Sequence, residues 1–595
     1  MLDLLAKYGQ KYEPEPGFKP KEVRWAIIFD SKSGFQALVE LGQPDQKKNK
    51  GRTFNKCPDL SQSELVSGSE TKCHFLVETA SVVALYNIDA EETKTRDKHR
   101  DKHKYFIYLL EKAGKDLENP ALATIAEWLK NSKNLEVIQK ALTEKKVKPT
   151  DKVTLCIDGE FPVEQDYWQN WWRTFRRNMK GESGTENKTL MRCYVTGELA
   201  LPLKTHPKIE GLAGDGGLAS GDVLVGFDKE AYCSYGLDQS ANAAISEEAA
   251  HAYRTGLNDL LKNHSQRLVK DKAKVVHWYK KSVQKEEDPL MWLEDPPELA
   301  ALSAQRAARE LLKSIQTGAR PDIADNYYYA LTLSGAKGRV MVRDWMEGQF
   351  EQLVLNISQW FDDLEIVQPD GNSPAHYPKF TAVLGSLVAP HLDDLPAPTV
   401  AKLWKVAVRG EPIPYAIMAQ ALTRRKVEIF QPNEKQINMN GMGIIKAYHL
   451  RKYRKEDNTI MAEKLKPVLN EDFPSAAYQC GRLMAVLADL QKAALGDVSA
   501  GVVQRYYAAA STTPALVLGR LTRNSQFHLN KLDPGLAYWY ESKIAAIWQK
   551  LQEAPPRTLS LEEQSFFALG YYQQLADMRI KKSTNAEKEK EEVNG

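Results

Sequence analysis

Residues 23–41, VRWAIIFDSKSGFQALVEL, set apolar positions in alternation on both sides of a Ser-Lys-Ser-Gly turn. Trp25, Ile27 and Phe29 share one face, and Phe35, Leu38 and Leu41 follow the turn, so the pattern predicts two strands. A polar stretch (43–56) comes next, then the short apolar element KCHFLVETASVVALYN (72–87). Residues 105–143 carry helical periodicity, and TLCIDGEF (154–161) reads as a strand. The first third is therefore mixed α and β.

In DYWQNWWRTFRRNMKG (166–181), Trp168, Trp171, Trp172 and Phe175 recur every three or four residues, with Arg173, Arg176 and Arg177 mostly on another face. This predicts an amphipathic helix whose rings pack in a core in preference to stacking on bases. Ser246 begins another helix, with Glu247 and Glu248 at its positive end and Ala249, Tyr253, Leu257, Leu260 and Leu261 on one face. Past residue 285 the pattern is mainly helical. A short β-like run at 339–342 leads into a long helix expected to carry Trp345, Phe350, Leu353 and Trp360. Residues 367–400 hold six prolines and read as a linker or an irregular segment. From about 470 every element is helical, and the charged end, 581–595, is expected to be disordered. The fold class expected is α+β: a mixed N-terminal and central region (1–285), a mainly helical middle with the proline-rich linker (286–465), and a C-terminal helical bundle (466–580).

Composition narrows the function. Of 595 residues 43% are hydrophobic, enough for real cores. Six cysteines without a CxxC pair fit reduced thiols in a cytoplasm. The N-terminus lacks the pattern of a secretion signal, and no apolar run approaches the roughly 20 residues that span a bilayer. A net charge of +3 names no partner, but its distribution is uneven. Residues 94–104 carry six Lys/Arg against two Asp, residues 262–281 seven against one, and residues 446–455 five with no acid. Single runs of this kind are ordinarily solvated helix faces; three together, interleaved with His, Tyr and Trp, point to a polyanion.

Catalytic constellations are not legible. There is no P-loop, no HExxH and no Gly-x-Ser-x-Gly elbow. His391, Asp393 and Asp394 form the nearest approach to a hydrolase metal pair, and Cys193, His206 and Cys233 the nearest to a zinc set, but neither has the paired ligands such sites need. We expect no catalytic residue, no metal and no cofactor.

Ordered blocks along the chain carry a resemblance. They are EVRWAIIFD (22–30), CYVTGE (193–198), HPKIEG (206–211) and SYGLDQSANAAISEEAAHAYRTGLNDLL (234–261). RVMVRDW (339–345) follows with WFDDLEI (360–366), then the segment 481–532, and FALGYYQQ (567–574). In this series the chain resembles the large subunit of the type I-C CRISPR Cascade complex. The resemblance implies a non-catalytic subunit that reads a short flanking motif, the PAM, on double-stranded DNA while a guide RNA reads the target strand. It further implies assistance in opening the R-loop, Cas-five-type and Cas-seven-type neighbours, and recruitment of a separate helicase-nuclease. A separate small subunit made from the C-terminal bundle by internal translation is implied as well, with Met461 the plausible start. A metal-dependent nuclease and a pure scaffold are the alternatives.

The expected DNA- and PAM-binding residues follow. The family's stretch after the first sheet carries two asparagines, replaced here by His74 and Thr79; with Lys72 they are expected near the PAM, and their departure predicts an altered PAM preference. Leu190 stands where some relatives have a cysteine. The glycine-rich strip, with Gly216 and Gly217, is expected to let backbone approach nucleic acid closely, with Lys204, Lys208, Gln239 and Asn242 as polar contacts; a tight interdomain loop holding the α/β part together is the alternative. In the bundle, Arg505, Arg520, Arg523, Asn524 and Lys531, with Phe527, are expected along the displaced strand. Val517, Leu518, Leu521, Ser525, His528, Leu529 and Leu532 should face the core.

Overall fold

The computed structural model describes all residues except 43–50, 62–63, 66–70, 89–91, 183–189, 228, 234, 270–272, 295–300, 372–377, 431–437, 497–500, 552–553 and 594–595. The chain forms two compact units: Met1–Asn263 with the hairpin tip Gly335–Met341, and His264–Ser334 with Val342–Gly595. The fold is mixed α/β with a helical C-terminal region, as the pattern predicts.

In the first unit, Trp25–Asp30 pairs antiparallel with Gly34–Glu40 across the predicted turn and parallel with Lys152–Ile157, which pairs antiparallel with Val77–Thr79. A parallel partner needs a long crossover. Three helices supply it: Thr93–Asp116, Pro120–Lys130 and Ser132–Glu144. Lys152–Ile157 is buried from Val153 onward, which fits a strand covered on both faces. The aromatic stripe of 166–181 lies on the helix Gln169–Glu182 and just ahead of it. Trp168 and Trp172 are fully buried and Phe75 packs against both, so these rings are core and not a base-stacking platform. Ser246 Oγ accepts from the Ala249 amide at 3.2 Å and caps Glu247–Asn263, whose predicted apolar face is buried.

In the second unit the strands Ala273–Tyr279 and Tyr327–Ala336 pair antiparallel over Lys274–Tyr279, and Arg339–Gln349 follows as the next strand of the sheet. This corrects one element boundary. Trp345 belongs to that strand and not to the helix, which starts at Phe350. Its ring stacks on Tyr329 at 6.1 Å and leans on Trp278, cross-strand packing that favours extended backbone. The proline-containing stretch 367–400 is no spacer: Phe380, Val383, Leu384, Leu387, Leu395 and Val400 are buried in the same core as Trp360 and Trp404.

The C-terminal helices are Ala476–Leu495, Val502–Thr512, Pro514–Leu529, Pro534–Leu551 and Leu561–Val593. The first and last cross closely. A Cβ on Gly481 would fall 1.9 Å from the Phe567 carbonyl oxygen, and one on Gly570 2.1 Å from that of Tyr478. The expected disordered tail continues the last helix to Val593, in keeping with its Ala, Glu and Lys content.

Candidate nucleic-acid interface

Three of the expected PAM residues serve the interior of the first unit. Lys72 is 8% exposed. His74 Nδ1 accepts from the Leu60 amide at 3.1 Å and lies 3.5 Å from Asp59 Oδ1; its own amide donates to Glu78. Burial, reinforced by the charge of Lys21, holds the imidazole down to about 4, so the ring is neutral at physiological pH. Asp59 also lies 3.6 Å from Lys21 Nζ and 3.9 Å from Arg254. Burial alone would raise its carboxyl, yet those cations hold it below the usual range. Thr79 precedes the short helix Ala80–Val83; its amide donates to Glu78 and its hydroxyl is 3.0 Å from Ser81 Oγ. His74, Glu78 and Thr79 are thus drawn into one hydrogen-bonded and ionic cluster with Asp59, Lys21 and Arg254. Of the residues expected near the PAM, Lys72 is buried and the His74 side chain is 22% exposed.

The glycine-rich strip is explained by packing within the same unit. Gly216 has φ +88°, and a Cβ there would meet the Gly335 carbonyl at 2.7 Å; a Cβ on Gly217 would fall 2.2 Å from Asp222 Oδ2. Asp222 in turn accepts from the amides of Leu218 and Gly338, and Lys337 N donates to the Gly216 carbonyl. Asp222 and Val223 pair with Ile209 and Lys208, and Val223 also with Arg339. The glycines therefore seat the tip of a hairpin distant in sequence, inside one unit and not between domains. Lys208 is half-buried, Lys204 and Gln239 are exposed, and Gln239 adopts φ +50°. Asn242 is not a free contact: its amide donates to the carbonyls of Leu237 and Gln239 and closes the loop on itself.

Histidine and cysteine positions follow the same logic. His206 is 1% exposed, with Nδ1 2.6 Å from the Tyr253 hydroxyl, and burial lowers it to about 4. Cys193 Sγ accepts from the Ser246 amide, while Cys233 lies near its own Lys229 carbonyl. Among the described residues no group of three His, Cys, Asp or Glu side chains is placed to hold a metal ion. His391, Asp393 and Asp394 sit exposed on a single turn.

The basic runs part company. In 446–455, on the helix Met439–Lys455, Lys446 and Arg451 are 1% and 5% exposed. Arg451 Nε donates to Asp363 at 2.6 Å, Arg454 to the other oxygen of Asp363 at 2.5 Å, and Lys452 to Glu562 at 2.8 Å. His449 lies 2.6 Å from Ser565 Oγ, and burial lowers it to about 3. This run is internal architecture, not a polyanion footprint. In 94–104, by contrast, Lys94, Lys98, Arg100 and Lys104 are exposed.

On the helix Pro514–Leu529 the predicted faces are in place. Leu518, Leu521, Ser525 and Leu529 are buried, Val517, His528 and Leu532 half-buried, and Arg505, Arg520, Arg523, Asn524 and Lys531 exposed. Phe527 is 72% exposed, and Leu516, outside the expected set, extends the row at 76%. Among the described residues, Arg505, Arg520 and Arg523 form no ion pair. A row of unpaired cations with an open ring can neutralise phosphates and stack on a base.

No described helix is long and apolar enough to cross a membrane. No curated protein matches the chain. Residues 3–579, nearly the whole chain, match the family model described as CRISPR-associated protein (Cas_Csd1), and the chain belongs to that family.

Proposed function

We propose that this protein is the non-catalytic large subunit of a type I-C RNA-guided surveillance complex, working in the cytoplasm. In this reading it engages double-stranded target DNA at the PAM, helps open the R-loop, and presents a helicase-nuclease with the displaced strand. Guide RNA, Cas-five-type and Cas-seven-type subunits and a separate small subunit are its partners. The family supports the setting. The observation that carries the DNA-binding part is the exposed row Arg505, Arg520, Arg523 and Lys531 beside Phe527, which has the chemistry of a single-strand track. In this reading His74 bears on PAM reading through the cluster around Asp59, whereas Gln239 remains exposed for direct contact.

The test is the assembled complex carrying Arg505→Ala, Arg520→Ala and Arg523→Ala. R-loop lifetime should fall equally on all targets, and the salt dependence of binding should become shallower by about one unit of slope for each phosphate no longer neutralised. PAM preference should stay as it is, because phosphates carry no sequence information. An unaltered salt slope removes this face from the DNA path. Metal-dependent cleavage of labelled DNA by the purified subunit would replace the non-catalytic reading with the nuclease.

A further inference from the structure

The helix Thr93–Asp116 is two different objects joined end to end. Its second half is anchored: Phe106, Leu109, Leu110 and Ala113 are fully buried in the core of the first unit. Its first half works against itself. Lys94 and Lys98, Arg96 and Arg100, Lys98 and Lys102, and Arg100 and Lys104 are four like-charge pairs at i, i+4 spacing, each repulsive on a helix surface. The first turn holds no acid and Glu92 makes no side-chain cap bond, so these cations also crowd the positive end of the helix dipole.

Asp97, three residues from Lys94 and from Arg100, and Asp101, three from Lys98 and from Lys104, offset part of this. The pair Lys104–Asp101, at 3.3 Å, has both side chains well exposed and contributes little. Among the described residues Lys94, Lys98 and Arg100 have no ion-pair partner. Exposed cations that outnumber the two aspartates beside them, three of them without an ion pair among the described residues, leave a net positive surface suited to an external anion.

We propose that Lys94, Lys98, Arg100 and Lys104 form a binding surface for the phosphate backbone of double-stranded DNA, read without regard to sequence. The stretch is about 15 Å long, with Lys94 and Lys98 on one stripe of the helix and Arg100 and Lys104 on a second about 120° round it, and over that length one strand of a duplex presents about four phosphates. No aromatic side chain is exposed in 93–104, and the nearest exposed ring, Tyr108, lies beyond it with Lys112 over its face. A surface of charge without rings suits stacked, paired DNA rather than unpaired bases. The proposal deepens the DNA-binding reading above but rests on other residues, in the other unit.

The experiment titrates the full chain with short labelled duplexes of two unrelated sequences between about 50 and 200 mM salt. Three variants are compared with the parent: Lys94→Gln/Lys98→Gln/Arg100→Gln/Lys104→Gln, the charge-keeping Lys94→Arg/Lys98→Arg/Lys104→Arg, and the Arg505/Arg520/Arg523→Ala set. The glutamine variant should flatten the salt slope by about three to four and weaken binding at least tenfold at the lower salt, on both sequences alike. The arginine variant should keep the parent's slope, which separates charge loss from misfolding. A parental slope in the glutamine variant overturns the proposal, as does a loss confined to one sequence. If only the Arg505/Arg520/Arg523 set alters the slope, this surface falls and the DNA-binding reading stands. If the parent shows no salt-dependent binding, both fall.

Discussion

Residues 94–104 and 446–455 are both runs of Lys and Arg interleaved with His, and the fold uses them in opposite ways. The second run sits on a helix wedged between others, so its cations had to find carboxylates: Asp363, fully buried, takes Arg451 and Arg454, and Glu562 takes Lys452. Burial depresses Lys446 to about 8 and also lowers Arg451, which shows how much solvation these groups give up. The first run lies on a helix end that leaves the core, keeps its water, and finds few acids. A basic run is therefore a statement about partners only after burial has been assigned. Buried, it forces internal pairing; exposed and self-repelling, it points outward.

Breaking a pair should separate the two runs most sharply. Asp363→Asn strands a buried guanidinium, and we expect a loss of about 3–5 kcal/mol, read as a lower melting temperature or urea midpoint. A loss as small as that of an exposed pair would erase the distinction. Acid should act next. The folded pKa of His449, about 3, lies below its unfolded value of 6.5, so the neutral ring has no penalty above pH 6.5. As pH falls below 6.5 the unfolded chain binds a proton that the folded chain refuses, and stability drops by up to about 1.4 kcal/mol per pH unit until the folded pKa is reached. His449→Gln should flatten the stability profile between pH 6.5 and 4; an unchanged profile would mean that the ring is not held neutral.

The glycine strip offers the same contrast between internal and external explanations. A Cβ on Gly335 would fall 2.1 Å from the Gly217 amide nitrogen, so Gly335→Ala should destabilise the free protein by about 1–3 kcal/mol, comparably to Gly217→Ala. Melting temperatures untouched by both, with DNA binding abolished, would return the strip to a recognition role. The smallest effect belongs to the exposed run. Lys94→Gln with Lys98→Gln removes like-charge repulsion, and the melting temperature should hold or rise slightly, at about 0.2–0.5 kcal/mol per pair relieved.

Much was legible because it depends on neighbours in sequence. The hairpin around 31–33 follows from period-two alternation, the Ser246 cap from residue type, and the faces of Pro514–Leu529 from helical spacing. The like-charge repeat in 94–104 was equally available, although composition alone reduced it to a count. What sequence could not supply is which distant group arrives. Trp345 was read as helical because its strand partners Tyr329 and Trp278 are far away in the chain. The prolines of 367–400 suggested a linker, yet the apolar residues between them found a core. His74 and the glycines at 216–217 had the chemistry of recognition, and in the tertiary structure they meet Asp59, Glu78 and the Gly335 turn. Periodicity and capping are local, so the chain determines them by itself. Burial and charge pairing depend on long-range packing, so only the tertiary structure decided which polar residues remain free to meet another molecule.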